Sequence, residues 1–250
     1  AAGGGGPLAG IVVVEACRRV QGPLAGHVLG LLGASVVRIE PPGGDPARGV
    51  EPLAGGTSAR FVALNRGKRA VELDITTASG RRGVQELVAG ADVFLHNWAP
   101  GKAEALGLDV TALGATRPDL VYAWASGWGE LLGPRPPLGT DYVVQAHSGL
   151  AAAVGPDPSL MTLTDVLGGL VSATGVLAAL LARDRTGAGQ RVDSSLLSSA
   201  LLCRDAPVAP RPEPAVGTRD DLAALAADPD FAGALEWDGC CLVRPPWRFG

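Results

Sequence analysis

Asp165 is the only charged residue between positions 159 and 182. Thr164 just before it is a natural helix N-cap, which places Asp165 in the first turn of a helix. There the helix dipole and the free amides hold a carboxylate ionised and fixed. A fixed, ionised carboxylate is what covalent attack requires. The same placement is also common as a purely structural dipole partner. A second concentration of chemistry is Asn65-Arg66-Gly67-Lys68-Arg69, with three cations in four residues just before an apolar run. It reads either as a solvated loop or as a phosphate clamp, with Arg as fork donor and Lys as point charge.

Other chemistries are poorly matched. A dinucleotide fold needs G-x-G-x-x-G after its first strand. The chain has VQGPLAG there, with Pro23 in the tight turn, although Glu40 stands where a ribose-binding acid sits. GKR and PGK lack the spacing of a P-loop, and neither H-E-x-x-H nor G-x-S-x-G occurs. His27, His96 and His147 are scattered and read as structural. Cys17, Cys203, Cys240 and Cys241 form no C-x-x-C pair, so neither a metal site nor a disulfide framework is expected, and a reduced cytoplasm fits. A formal net charge of −4 disfavours nucleic acid as a partner. The N-terminal stretch has no basic region before its apolar run, so it does not read as a signal peptide. The uncharged stretch 166–182 is slightly short for a membrane span and rich in small residues, so a buried helix is expected and no membrane partner.

These side chains need a scaffold. With 250 residues and 47% hydrophobic content, the chain is large enough for one good core. The β-branched run IVVVEA (11–16), the small-residue helix 22–33 ending at Gly33 and the run SVVRIE (35–40) form a βαβ unit. AVELD (70–74), DVFLHN (92–97) and LVYAWAS (120–126) read as further strands. Helices are expected over 77–89, 141–153 and 164–182, and 190–202 as a short strand followed by a helix. The expected fold class is α/β: a Rossmann-like sheet of about five buried, mostly parallel strands with helices on both faces. Ligands on such a sheet sit beyond the carboxyl ends of the strands, near 15–21, 38–41, 96–101 and 126–129. After residue 202 the composition shifts. Residues 205–217 carry four prolines and read as a linker, followed by one amphipathic helix and a C-terminal strand with a Pro-rich tail.

Several segments, taken together and in order, resemble the class III (CaiB–BaiF type) CoA-transferase family. They are PLAGIVVVEACRRVQGPLAG, LGASVVRIEPPGGDPARG, LNRGKRAVELDITTASGR, ADVFLHNWAPGKAEALGLD, GWGELLGP, GTDYVVQAHSGL, TDVLGGLVSATGVLAALLARDRTGAGQRVDSSLL and RPPWRFG. They cover most of 7–203 and the tail. The resemblance implies transfer of CoA between an acyl-CoA and a carboxylic acid through anhydride and thioester intermediates on an aspartate, which Asp165 matches. Val20 and Gln21 match the loop near the thioester and pantetheine. Leu73, Asp74, Thr76, Asn97 and Trp98 match segments that hold CoA, and Thr140, Asp141 and Tyr142 a further active-site stretch. Trp98 is expected to pack on pantetheine or adenine, and Arg38, Arg66 and Lys68 to meet phosphates. CoA and its esters enter as substrates, with no tightly bound cofactor or metal.

The chain departs from the family at named positions. Racemases of this type carry Gly-His-Asp where this chain has Gly139-Thr140-Asp141, which counts against two-base racemisation. Ala99 and Ala105 stand where basic residues are usual, as does Pro41 in some members. The linker takes the place of nearly all of a small second domain. The expected organisation is therefore a large CoA-binding domain (1–203), a linker (204–217) and a C-terminal segment returning to the large domain (218–250). The family resemblance implies a homodimer, here not fully interlocked, or assembly with a full-length paralogue. Two rivals stand beside CoA transfer: isomerisation, dehydration or hydrolysis of a CoA ester on the same scaffold, and a non-catalytic CoA-ester-binding chain or subunit.

Overall fold

A computed structural model describes residues 5–154, 162–205, 222–247 and 249. The chain opens with β1 (Val12–Ala16), α1 (Gln21–Leu31) and β2 (Ser35–Glu40), the βαβ unit expected from its apolar runs. α1 stops at Leu32, and Gly33 turns the chain at φ +105°, a conformation that favours glycine. There follow α2 (Ala59–Asn65), β3 (Arg69–Glu72), α3 (Ala78–Ala89), β4 (Val93–His96), α4 (Lys102–Leu106), α5 (Val110–Thr116) and β5 (Val121–Ser126). After β5 come α6 (Asp141–Ser148), α7 (Leu150–Val154), α8 (Leu163–Thr186), β6 (Arg191–Ser195), α9 (Leu196–Arg204) and α10 (Leu222–Ala227). Two hairpins flank the sheet, Leu53–Ala54 with Thr57–Ser58 and Leu235–Asp238 with Cys240–Val243.

The six sheet strands lie in the order β3-β2-β1-β4-β5-β6, and every pairing is parallel. This is the doubly wound order, with its switch point between β1 and β4. Side chains alternate across the sheet. Val13 faces a core shared with Leu29 of α1 and Val176 and Leu180 of α8. Val14 faces the opposite core, with Val84 and Val88 of α3, Phe94 and Leu113 of α5. A third cluster, with Trp128, Val144, Leu150 and Leu197, binds α6, α7 and α9 together beyond the strand ends.

The structure adds detail to the sequence-based expectations. The sheet has six strands rather than about five, and the short strand expected at the start of 190–202, RVDSS, forms its far edge. β3 forms the opposite edge and is largely exposed, not buried as expected. The single helix expected over 141–153 is two, broken at Gly149 (φ +79°). α8 begins one position earlier than expected, with Thr162 as its cap residue, and Thr164 lies inside the helix. α8 is long and apolar enough to cross a membrane by length and composition; here it packs on α1, α9, β5 and β6. Its approach to α1 depends on Gly169, where an added Cβ would lie 2.9 Å from the Gln21 carbonyl oxygen and from Leu24 Cβ. Most of the proline-rich linker, 206–217, lies outside the described residues.

Candidate active site

The loops after β1, β4 and β5 meet at the switch point. The Arg18 N–H donates to Asn97 Oδ1 (3.0 Å), and Asn97 Nδ2 donates to the Arg18 carbonyl (2.7 Å). Gln21 Nε2 donates to the Ser126 carbonyl (3.3 Å), joining the start of α1 to the end of β5. Arg19 sits between these links at φ +66°, a conformation uncommon outside glycine and found preferentially at functional sites. The loops enclose a cavity of about 490 Å³ lined by Arg19, Gln21, Asn97, Trp98, Trp128 and Asp165, among others.

Asp165 enters this cavity from the first turn of α8. Its surroundings are set by Asp141 at the start of α6. Asp141 Oδ2 accepts both the Thr164 hydroxyl (2.6 Å) and the Asp165 backbone N–H (2.8 Å). Asp141 Oδ1 accepts from the Gln145 side chain. One buried carboxylate thus serves as the side-chain cap of α8, although it lies 24 residues earlier in the chain. The Asp165 carboxyl is not held low by the helix, as its position in the sequence suggested. Burial, and then the neighbouring Asp141 charge, raise its pKa to about 6, against the opposing pull of Arg19 and a hydrogen bond from the Gln21 backbone. It is therefore mostly ionised at neutral pH, yet more basic than an ordinary carboxylate.

Trp98 lines a second, smaller cavity of about 140 Å³ as well, together with Leu73, Asp74, Thr76, Arg18 and Lys102. Asp74 Oδ1 accepts the Thr76 hydroxyl (2.6 Å) and N–H (3.0 Å), which lowers the Asp74 pKa and shapes the turn into α3. Lys102 Nζ lies 5.8 Å from the centre of the Trp98 ring. An aromatic plate with a cation beside it thus separates the Asp165 cavity from the 73–76 loop.

Several other residues singled out in the sequence do not face these cavities. Arg38, expected to meet a phosphate, is 2% exposed. Its Nη1 donates to Glu15 Oε1 (2.6 Å) and its Nη2 to Asp45, with Glu40 beside its Nε. Lys68 Nζ is likewise enclosed, donating to Glu15 Oε2 (2.8 Å), the Pro23 carbonyl (2.7 Å) and Asn65 Oδ1 (2.9 Å). Arg48 pairs with Glu40 (2.7 Å) and completes a network of three carboxylates and three cations. Arg66 Nη2 donates to the Val243 carbonyl and lies 3.7 Å from Glu236, so it holds the C-terminal hairpin. Val20 lines a separate cavity on the other side of Arg19. Ala99 lines the Asp165 cavity with only a methyl group. Gly139 lines it as well, without a side chain, whereas Thr140, Asp141 and Tyr142 do not; Asp141 is buried against α8 and Tyr142 is exposed.

Sequence reasoning placed ligands near 15–21 and 126–129 but assigned no role to Arg18, Arg19 or Trp128 there, and it passed over Lys102 and Arg135; all five line the two cavities. Three of these had a signal: Arg18 and Arg19 follow the first strand, and Lys102 opens the helix after the Pro-Gly turn. All three lie in the loops after strands of a parallel sheet or at their far end.

Residues 8–225 match the model of CoA-transferase family III. The chain belongs to that family. It is 37% identical over 213 residues to the acetyl-CoA:oxalate CoA-transferase of Acetobacter aceti, covering 79% of this chain and 54% of that protein. It is 36% identical over 204 residues to the succinyl-CoA:glutarate CoA-transferase of Mus musculus, covering 79% and 47%. Among solved structures, a CAIB/BAIF family protein from Brucella suis superposes with a TM-score of 0.74 at 36% identity, over 78% of this chain and 55% of that one. The chain spans about half the length of the curated relatives it matches.

Proposed function

We propose that the chain carries the nucleophilic half-site of an acyl-CoA:carboxylate CoA-transferase, with Asp165 as the nucleophile. The observation that carries this reading is the Asp165 carboxylate, fixed at the head of α8 in a cavity that it shares with Gln21, Asn97 and Trp98. The raised basicity of Asp165 supports it, because nucleophilicity grows with basicity while the group stays mostly ionised at pH 7.

In this reading a carboxylate oxygen of Asp165 attacks the thioester carbonyl. The C–S bond breaks, leaving CoA thiolate and an acyl–aspartyl anhydride. The thiolate attacks the aspartyl carbonyl, releasing the donor acid as its carboxylate and leaving an aspartyl-CoA thioester. The acceptor carboxylate repeats the two steps in reverse, which yields the new thioester and restores Asp165. No net proton is taken up or lost, so no separate base is required. Gly127 lines the cavity and its backbone amide is a candidate to stabilise the oxyanion, whereas the Gln21 backbone already donates to Asp165. Trp98 with Lys102 and Arg18 takes the role of receiving CoA, in place of the enclosed Arg38 and Lys68. The relatives named for oxalate and glutarate transfer support a carboxylic acid as acceptor. Leu170 and Leu181, exposed on α8, are consistent with assembly as a homodimer. The test is exchange of labelled CoA between thioesters and carboxylates, read by mass spectrometry. Exchange that Asp165→Asn abolishes supports the reading, and exchange that survives in the variant overturns it.

A further inference from the structure

Three charged side chains line the Asp165 cavity: Asp165 itself, Arg19 and Arg135. Several arginines elsewhere are occupied. Arg38 and Arg48 are held by carboxylates, and Arg66 holds the C-terminal hairpin. The Arg19 side chain is exposed and makes no hydrogen bond or ion pair among the described residues. Its backbone, by contrast, is fixed on both sides. Arg18 exchanges two hydrogen bonds with Asn97, and the Gln21 side chain donates to the Ser126 carbonyl. Arg19 between them is the one non-glycine residue at positive φ among the described residues. Such strain persists where the surroundings impose it, and it clusters at sites that grip a ligand. A tethered, strained backbone that presents an open guanidinium to a cavity is suited to an anion.

The proposed reaction supplies that anion. In the free protein Asp165 is itself negative and repels an incoming acid. Acylation removes its charge and leaves the two arginines, so the lining turns purely cationic once an aspartyl intermediate awaits attack. Asp141 keeps its charge, but it is buried and already accepts from Thr164, Gln145 and the Asp165 N–H. Of the two arginines, Arg19 is the one whose charge acts on the Asp165 carboxyl. Arg135 is not among the groups that shift it.

We infer that Arg19 binds the carboxylate of the acid substrate, holding one oxygen while the other attacks the aspartyl carbonyl. As the new C–O bond forms, the C–S bond of the aspartyl-CoA thioester breaks. The negative charge passes from the acid to the CoA thiolate, and no proton moves. The inference rests on the reading of Asp165 as the nucleophile and adds the residue that recognises the second substrate. Because the cavity repels the acid until Asp165 is acylated, Arg19 favours binding at the stage where the acid can react.

The test is titration of acetate, succinate and glutarate into the full chain with CoA bound, followed on the acids' own NMR signals. Asp165→Asn imitates the uncharged aspartyl state. At pH 8, well above the Asp165 pKa of about 6, it should bind at least one acid about tenfold more tightly than the wild type does. Adding Arg19→Gln should weaken that binding by about tenfold or more and leave CoA affinity within about twofold. Arg19 is exposed, so the substitution leaves the core untouched. Adding Arg19→Lys instead keeps the charge and should preserve most of the affinity. Acid binding that is absent from Asp165→Asn, or unmoved by Arg19→Gln, overturns the inference and leaves Asp165 in place. So does an equal loss of CoA affinity, or a loss confined to Arg135→Gln. Turnover that survives in Asp165→Asn removes the proposed function, and this inference with it.

Discussion

Asp141 Oδ2 lies 2.8 Å from the backbone nitrogen of Asp165 and accepts its proton. One carboxylate thus both anchors the turn that presents Asp165 and raises the basicity of its neighbour. Asp141→Asn separates the two effects, since an amide oxygen still accepts the N–H but carries no charge. Transfer activity in the wild type should rise with pH through a midpoint near 6, where Asp165 ionises. In Asp141→Asn the midpoint should move down toward the ordinary carboxylate range. A pH profile of kcat/KM for both proteins checks this, and an unmoved midpoint removes Asp141 from the account.

The same shift has a sign for stability. The Asp165 pKa is higher in the fold than in the unfolded chain, so its contribution is fully present below the unfolded value near 4. It is lost as pH rises through about 6. Asp165→Asn cannot ionise and escapes that loss. Urea unfolding should find the variant more stable than the wild type at pH 8, with the difference closing toward pH 4. Equal stability at both pH values contradicts the burial and charge argument.

Arg38 offers a sharper contrast. With its guanidinium enclosed by Glu15, Glu40 and Asp45, Arg38→Met leaves buried Asp45 without a cation, and Glu15 and Glu40 with only Lys68 and Arg48, and should cost about 3–5 kcal/mol of stability. A residue that served chiefly to hold a CoA phosphate would instead lower affinity and leave the unfolding midpoint alone.

Lys102 is assigned the opposite behaviour. It stands beside Trp98 at the smaller cavity. Lys102→Ala should weaken CoA binding by about fivefold and flatten its dependence on salt, with unfolding unchanged. Titrations at low and high ionic strength decide it, and unchanged affinity would place the phosphates elsewhere.

The fold was largely legible because it rests on local signals. β-branched runs, glycine stops and the alternation of strand and helix brought out β1, β2, β4 and β5 and the βαβ unit that sets the sheet. The short helices α2, α4 and α5 were not legible, since five to seven residues hold too little periodicity to distinguish them from loops. In the site, Gln21, Asn97 and Trp98 came together as their positions near strand ends implied, and Asp165 joins them from the first turn of α8. Arg38 and Lys68 did not, because a sequence shows a cation but not its partner. Their shared carboxylate, Glu15, lies 23 and 53 residues away and meets them only once the sheet has formed. Asp141 was singled out through the family resemblance, but its role as a cap stayed hidden for the same reason, as it is visible only when α6 meets α8.

The central claim is covalent attack by Asp165. Hydroxylamine added during turnover with an acyl-CoA cleaves an aspartyl anhydride or thioester and leaves a hydroxamate on the side chain that formed it. Peptide mass spectrometry of the trapped protein should find that modification on Asp165 in the wild type, dependent on thioester, and nowhere in Asp165→Asn, which should fold, bind CoA and lose turnover by orders of magnitude. Near-normal turnover in Asp165→Asn, or a hydroxamate on another residue, would contradict the account.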